Sequence, residues 1–193
     1  MKKLLFLAVL ILAACGNKTG RSVGDTDSLK TDTTIDAGTE KHTAEYISQR
    51  IDSMYSRYHN PTFDSDGIKQ FDHSIDYDSV YCSSRYKALL SQALALAEDD
   101  LLLDYDHWTS SQDDGDFSYQ IDKVESITDS TAVVYLNAEN FGNDYVIILS
   151  LFFERGNWFV DDFLSPVDGK GEKEYFQTYI NDRLKGREEG EKI

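Results

Sequence analysis

The period of the apolar residues changes along this chain, and that change limits the fold more than any other feature. Between residues 43 and 98 the apolar residues recur at helical spacing, whereas between 117 and 164 they mostly alternate with polar ones. The predicted helices are 43–59, 82–98 and 172–186, and the predicted strands are 117–127, 131–140, 145–154 and 158–164. Helices followed by a meander of four antiparallel strands predict the α+β class, with a curved sheet wrapped around the N-terminal helices.

Each predicted helix has an apolar face that should point inward. In 43–59 the face contains Ile47, Ile51, Met54 and Tyr58, and Thr43 is placed to cap the helix start. In 82–98, the strongest helix by propensity, the apolar face contains Tyr86, Leu89, Leu90, Ala93, Leu94 and Ala97. In 172–186 the inward residues are predicted to be Tyr175, Phe176, Tyr179 and Ile180.

The strands carry three further signals. Val124 and Ile127 break the alternation of the first strand, which indicates a β-bulge. Strand 145–154 is apolar on both faces, and we expect it to be central and covered on both sides. Arg155-Gly156-Asn157 predicts a tight hairpin before the last strand.

Composition indicates one packed domain. The chain carries a formal net charge of −16, so phosphate backbones would be repelled and a nucleic-acid partner is not expected. Twelve Tyr and ten Phe supply the burial area of a core. One of the two cysteines, Cys82, lies at a predicted helix start, and we interpret it as a small buried side chain and not as a nucleophile.

The N-terminal segment has the pattern of an export signal. Lys2 and Lys3 precede eleven apolar residues, Leu4 to Ala14, which are too few to span a bilayer. Leu12-Ala13-Ala14-Cys15 resembles the lipobox of bacterial lipoproteins. The resemblance implies that residues 1–14 are a signal peptide and that Cys15 carries lipid on its sulfur and amino group, which anchors the protein to a membrane.

The predicted mature chain has three parts. Residues 15–42 are the lipidated cysteine and a polar, flexible tether, residues 43–186 are a single α+β domain, and residues 187–193 are a frayed tail. Loss of Lys2 and Lys3 with the signal takes the net charge from −16 to −18. Gly16 and Asn17 follow Cys15 without the Asp that favours inner-membrane retention in some bacteria, so the outer membrane is the predicted location.

The order of elements resembles a family of small bacterial lipoproteins of unknown function. The features that carry the resemblance are Asp104, Asp106, Gln112 and Asp113 after the long helix, together with the ending Gly156 to Asp162. The resemblance covers roughly residues 44–165. It implies a domain similar to the cone-shaped fold of nuclear transport factor 2, in which a pocket lies between the helices and the sheet.

The segment 101–113, LLLDYDHWTSSQD, would line that pocket. The candidate pocket residues are Asp104, Asp106, His107, Trp108, Gln112 and Asp113. Enzymes of the resembled fold, such as ketosteroid isomerase, use carboxylates in apolar surroundings, which implies a pocket acid such as Asp106 or Asp113. The alternative interpretation is that the acids cap or brace the loop, since neighbours on an extended segment, such as Asp106 and His107, point to opposite faces.

No cofactor or metal is predicted. The acidic clusters 64–67, 76–78, 104–106 and 113–116 do not match the spacing of a calcium loop, and the four histidines show no zinc signature. Three functions therefore remain open. The first is a non-enzymatic binding module tethered to the membrane, the second is an enzyme that uses a pocket carboxylate, and the third is a module that binds an envelope protein through the sheet.

Overall fold

The computed structural model describes residues 39–98 and 100–190. The predicted signal peptide, Cys15 and most of the predicted tether lie outside these residues. The α-helices are α1 (Ala44–Met54), α2 (Tyr77–Tyr81), α3 (Ser84–Ala97) and α4 (Glu172–Gly190), and short 3₁₀ turns cover Thr39–Lys41 and Ser56–Tyr58. The strands are β1 (Thr62–Phe63), β2 (Lys69–Gln70), β3 (Ser118–Glu125), β4 (Thr131–Asn140), β5 (Asn143–Glu154) and β6 (Asn157–Leu164).

Strands β3 to β6 form an antiparallel meander in chain order, which confirms the predicted α+β class and four-stranded sheet. Two hairpins close with two-residue loops, Phe141-Gly142 and Arg155-Gly156. All four loop residues have positive φ, between 50° and 74°. These values are typical of the type I′ turn, whose twist matches that of the flanking strands. The hairpin predicted at Arg155 is therefore confirmed.

The sheet contains a bulge in β3 and another in β6. The register of β3 shifts between Ile121 and Lys123, as the broken alternation predicted. A second shift inserts Asp161 into β6 opposite β5. The six residues from Trp158 to Phe163 are all buried, so both faces of β6 are covered and the carboxylates of Asp161 and Asp162 lie inside the protein.

One face of the sheet carries the core. The register pairs Val134 with Leu149 and Leu136 with Ile147, and all four side chains are buried. The opposite face is only half-buried, so the expectation that β5 is covered on both sides is wrong. Long cationic side chains shield part of that face, with Arg85 over Phe152, Lys123 over Tyr135 and Arg155 over Phe159.

The helices start where capping residues predict. Thr43 Oγ1 accepts the backbone N–H of Tyr46 at 3.2 Å, which confirms the predicted cap of α1. Ser83 caps α3 in the same way, with 3.1 Å between its hydroxyl and the N–H of Tyr86. Helix α1 packs on β3, and α3 packs between α4 and β6.

Two details of the helices differ from expectation. On α3 Leu96 is buried while Leu94 is 53% exposed, because the contact with α4 rotates the buried face by part of a turn. On α4 Phe176 and Ile180 are buried, but Tyr175 is 48% exposed, and the helix continues to Gly190. None of the helices in the described part of the chain is long and apolar enough to cross a membrane.

The chain before residue 43 contacts the sheet. Lys41 Nζ donates to the carbonyl of Gly156 at 2.8 Å, and Trp158 Nε1 donates to the carbonyl of Lys41 at 2.6 Å. The His42 ring packs against Phe153 and Trp158. These contacts fix the point at which the chain enters the domain, at the β5–β6 hairpin.

Candidate functional site

The loop between α3 and β3 is held in one shape by its own hydrogen bonds. The backbone N–H of Asp106 donates to the carbonyl of Ser111 at 2.9 Å, and Asp106 Oδ1 accepts the N–H of Trp108 at 2.8 Å. From the sheet, Tyr145 donates its hydroxyl to the carbonyl of Thr109 at 2.6 Å. This closed loop directs the side chains of its middle residues into the protein.

His107 lies at the centre of a buried polar group. Its side chain is in contact with two carboxylates, with 2.8 Å between Nε2 and Asp78 Oδ1 and 3.1 Å between Nδ1 and Glu172 Oε2. Its ring stacks on Phe163, with the centroids 4.1 Å apart and the planes 9° from parallel. Only 7% of His107 is exposed. The imidazole therefore bridges helix α2 and helix α4.

Three further side chains complete this arrangement. The hydroxyls of Tyr86 and Tyr105 donate to Glu172, with 2.9 Å between Tyr105 Oη and Glu172 Oε1. Trp108 Nε1 donates to Asp78 Oδ1 at 2.7 Å. We call these six residues the His107 cluster: Asp78, Tyr86, Tyr105, His107, Trp108 and Glu172. Its members come from α2, α3, the α3–β3 loop and α4, so the cluster ties four separate parts of the chain together.

The electrostatics of the cluster keep the imidazole charged. Burial lowers the pKa of His107, but the hydrogen bonds and charges of Asp78 and Glu172 outweigh burial and raise it to about 10. Burial also raises the pKa of Asp78, but hydrogen bonds from His107 and Trp108 outweigh it, and the pKa lies below its ordinary value. At neutral pH both ring nitrogens therefore donate hydrogen bonds, and His107 has no lone pair with which to act as a general base.

A cleft of about 640 Å³, here the α4 cleft, opens beside the cluster. The α3–β3 loop, the end of β6, the β6–α4 connection and the first turn of α4 form its walls. Its apolar lining residues are Leu102, Leu103, Phe163, Leu164 and Pro166. Its charged and phenolic lining residues are Asp104, Tyr105, Asp168, Lys170, Glu172 and Tyr175. The volume lies within the range of pockets that take small organic ligands.

Some exposed aromatic and apolar side chains lie in the segments that form the α4 cleft. Tyr105 and Tyr175 line the cleft and are exposed. Leu101 is 77% exposed and Val167 is 92% exposed, and each is next in the chain to a lining residue without lining the cleft itself.

A second, smaller cleft of about 300 Å³ lies on the other side of Tyr105 and is here called the α2 cleft. It shares Leu103 and Tyr105 with the α4 cleft. Its wall includes Arg57, whose side chain is 6% exposed and lies 3.5 Å from Asp106 Oδ2. The guanidinium stacks over Tyr77 at 4.0 Å, and Arg57 Nε has no hydrogen-bond partner among the described residues.

The structure places the six candidate pocket residues in different surroundings. Asp104 is exposed in the wall of the α4 cleft, His107 and Trp108 belong to the cluster, and Asp106 pairs with Arg57 in the α2 cleft. The other two, Gln112 and Asp113, are exposed and line neither cleft.

Two of the acids brace the loop as the alternative interpretation described. Asp113 accepts the backbone N–H of Gly115 at 2.9 Å, and Asp106 accepts the backbone N–H of Trp108 at 2.8 Å. Sequence reasoning did not identify Asp78, Tyr86 or Glu172. These residues are 29, 21 and 65 positions from His107, and no local pattern links them.

Two neighbouring buried carboxylates, Asp161 and Asp162, hold the first turn of α4. Asp161 accepts hydrogen bonds from Ser83, Arg85 and Lys173. Asp162 accepts the backbone N–H groups of Phe163 and Lys173, and burial nevertheless raises its pKa to about 6.

Among the described residues no group of three or more His, Cys, Asp or Glu side chains is arranged to hold a metal ion.

Comparison of the chain with protein-family models, with curated proteins and with solved structures finds no match. The function must therefore be argued from the site itself.

Proposed function

We propose that this protein is a membrane-tethered lipoprotein of the bacterial cell envelope whose domain binds a small organic molecule in the α4 cleft. The observation that carries the proposal is the cleft of about 640 Å³, with an apolar lining and a polar wall that the His107 cluster holds in place. A cavity of this kind is the usual form of a ligand site.

The arrangement of the elements supports a domain similar to the nuclear-transport-factor-2 cone. Helices α1, α3 and α4 precede and follow an antiparallel meander, and the sheet buries one face against them. The resembled fold has its pocket between the helices and the sheet, and the α4 cleft is lined by the start of helix α4 and the end of strand β6. The family assignment remains a prediction from the sequence.

The chemistry of the cluster favours binding over catalysis. Glu172 already accepts hydrogen bonds on both carboxylate oxygens, and His107 is protonated at neutral pH. Of the two acids considered for an enzyme, Asp106 is engaged by Arg57 and by the backbone of its own loop, and Asp113 lines neither cleft. Groups that satisfy one another in this way hold a shape well, but they exchange protons poorly with a substrate.

The binding half of the proposal can be tested by ligand capture. The protein is purified from a bacterial host in native membrane nanodiscs and analysed by native mass spectrometry, beside a Leu164→Trp variant. Leu164 is half-buried and lines the α4 cleft but not the α2 cleft, so the larger indole should fill part of this cavity without removing a hydrogen bond. We expect a copurified small molecule in the wild type and its loss in the variant. A molecule retained equally by both would place binding elsewhere.

The anchor half has an independent test. Cells that express the chain are fed an alkyne analogue of palmitate, and the protein is examined for label in membrane and soluble fractions. We expect Cys15→Ser to abolish both the label and membrane attachment. The matched control is Cys82→Ser, because Cys82 is the chain's other cysteine and is buried. Label that persists in Cys15→Ser would contradict lipidation at that residue.

A further inference from the structure

The walls of the α4 cleft carry an excess of negative charge. Three carboxylates line it, those of Asp104, Asp168 and Glu172, against the single ammonium of Lys170. Lys170 Nζ lies 3.0 Å from Glu174, a residue outside the lining, so its charge is already paired. Glu172 is paired with His107. The charge that remains for a ligand is therefore negative, and anionic molecules are disfavoured.

Asp104 is the carboxylate that a ligand can reach. It is exposed, it lines the cleft, and it makes no hydrogen bond within the described residues. Asp168 instead accepts the backbone N–H of Lys170 at 3.2 Å and helps to shape its own turn. A free carboxylate at the edge of an apolar cavity suits an ammonium or guanidinium group.

Two phenol rings line the α4 cleft together with Asp104. Tyr105 is the chain neighbour of Asp104 and is fixed by its hydrogen bond of 2.9 Å to Glu172. Tyr175 belongs to the first turn of α4 and lines the same cleft. The face of an aromatic ring attracts a cation, and such attraction is the common means of recognising organic ammonium groups.

The rest of the cleft is apolar. Leu102, Leu103, Phe163, Leu164 and Pro166 provide a surface for a hydrocarbon body. This apolar surface distinguishes the cleft from a metal site, which would need several oxygen or nitrogen ligands at short distances. A bare inorganic cation would leave most of the cavity without a favourable contact.

From these observations we infer that the ligand of the α4 cleft is an organic cation, an amine or guanidine joined to an apolar body. The charged group lies between Asp104 and the rings of Tyr105 and Tyr175, and the body covers the leucines and Phe163. The inference rests on the proposed binding function and specifies the chemical class that the same cleft takes.

The test uses three probes with one body and different head groups: 4-phenylbutylamine, 4-phenylbutan-1-ol and 4-phenylbutyrate. The full-length protein is held in nanodiscs of neutral phosphatidylcholine, and binding is measured by equilibrium dialysis against empty nanodiscs. We expect the amine to bind at least tenfold more tightly than the alcohol, and the carboxylate to bind more weakly than the alcohol.

Two charge variants identify the residue responsible. Asp104→Asn should weaken binding of the amine about tenfold and leave the alcohol unchanged. Asp122→Asn is the matched control, because it removes one exposed carboxylate from β3, outside the cleft, and it should change neither. Equal binding of amine and alcohol in the wild type, or an unchanged amine in Asp104→Asn, would overturn the inference.

The Leu164→Trp variant separates the two proposals. If all three probes bind equally and this variant abolishes their binding, the α4 cleft is a ligand site without charge preference, so the proposed function stands and the cation inference fails. If none of the probes binds, the cation inference is wrong and the ligand-capture experiment decides the proposed function. If the probes bind and Leu164→Trp changes nothing, binding lies outside the α4 cleft and both proposals are wrong.

Discussion

At the scale of single residues, His107 shows how its partners decide what a histidine does. An exposed imidazole titrates near neutral pH and can accept or release a proton. Between Asp78 and Glu172, and stacked on Phe163, the same ring is a cation at neutral pH and joins two helices. The sequence indicated that His107 stands in the pocket-forming loop, but nothing near it in the chain indicates two carboxylate partners.

The raised pKa of His107 gives a pH dependence of stability. The folded ring titrates at about 10 and the unfolded ring at 6.5, so the folded state binds more protons between these values. The stabilisation that His107 contributes is fully present below pH 6.5 and is lost as the pH rises towards 10. Between pH 6.5 and 8.5 we expect a loss of about 2 kcal/mol in the free energy of unfolding, measured by urea titration.

The matched variant is His107→Gln, whose side-chain amide keeps a hydrogen-bond donor for one of the two carboxylates but cannot titrate. It should be less stable than the wild type at pH 6.5 and should lack most of the slope up to pH 8.5. The same slope in both proteins would show that His107 does not hold the extra proton.

Asp162 predicts an effect at lower pH. Burial raises the pKa of its carboxyl from 3.8 to about 6, so the folded state holds a proton that the unfolded chain has lost. The stability contributed by Asp162 therefore falls as the pH rises through this window. Asp162→Asn keeps an oxygen for the backbone N–H groups of Phe163 and Lys173 but carries no charge.

We expect Asp162→Asn to be more stable than the wild type by about 1–2 kcal/mol at pH 7.5 and equal to it near pH 4. Chemical denaturation at both pH values measures the difference. The exposed Asp122→Asn change is the control. A gain of the same size at pH 4 would mean that packing, and not ionisation, is responsible.

At the scale of elements, the connection between β6 and α4 positions the cleft. Asp161 and Asp162, at the bulge in β6, are both buried, and both bind Lys173 in the first turn of α4. Gly171 lies directly against the Asp162 carboxylate, and a Cβ atom there would overlap it. Position 171 has room only for a residue without a side chain. The glycine there lets the first turn of α4 lie where Glu172 contacts His107.

Two alanine substitutions, one directly before α4 and one within it, should have opposite effects on stability. Gly171→Ala should destabilise the protein by about 2 kcal/mol, since the new methyl group displaces Asp162 or α4. Gly186→Ala, in an open part of α4 with no atom near the new Cβ, should stabilise it by about 0.5–1 kcal/mol through helix propensity. Thermal unfolding of both variants measures the contrast, and a neutral Gly171→Ala would contradict the proposed close fit.

The elements themselves were largely predictable, and their faces less so. The alternation within 131–140 puts Ala132, Val134, Leu136 and Ala138 on one side of β4, and all four are buried, because successive residues of a strand point to opposite faces. On α3 the choice between Leu94 and Leu96 depends on where α4 packs, which is long-range information. The sequence also does not show that one face of β5 is only half-buried, because a strand that is apolar on both sides does not indicate whether a second layer exists.

At the scale of the whole molecule, the proposed lipid and the acidic surface act together. A net charge of −18 after loss of the signal would keep the domain away from anionic head groups, so attachment would depend on the acyl chains at Cys15. The candidate site was predictable only in part. Four of the six candidate residues in segment 101–113 line a cleft or belong to the His107 cluster, but the partners that make the site rigid come from α2, α3 and α4.

The position of Lys41 has a consequence for how the protein is held. The chain enters the domain at the Arg155-Gly156 turn, where β6 begins, and the α4 cleft lies where β6 ends. The eight residues of β6 separate these points by about 25 Å. The proposed anchor and the proposed ligand would therefore act at opposite ends of one strand, and a ligand could enter or leave the α4 cleft without disturbing the contacts of Lys41.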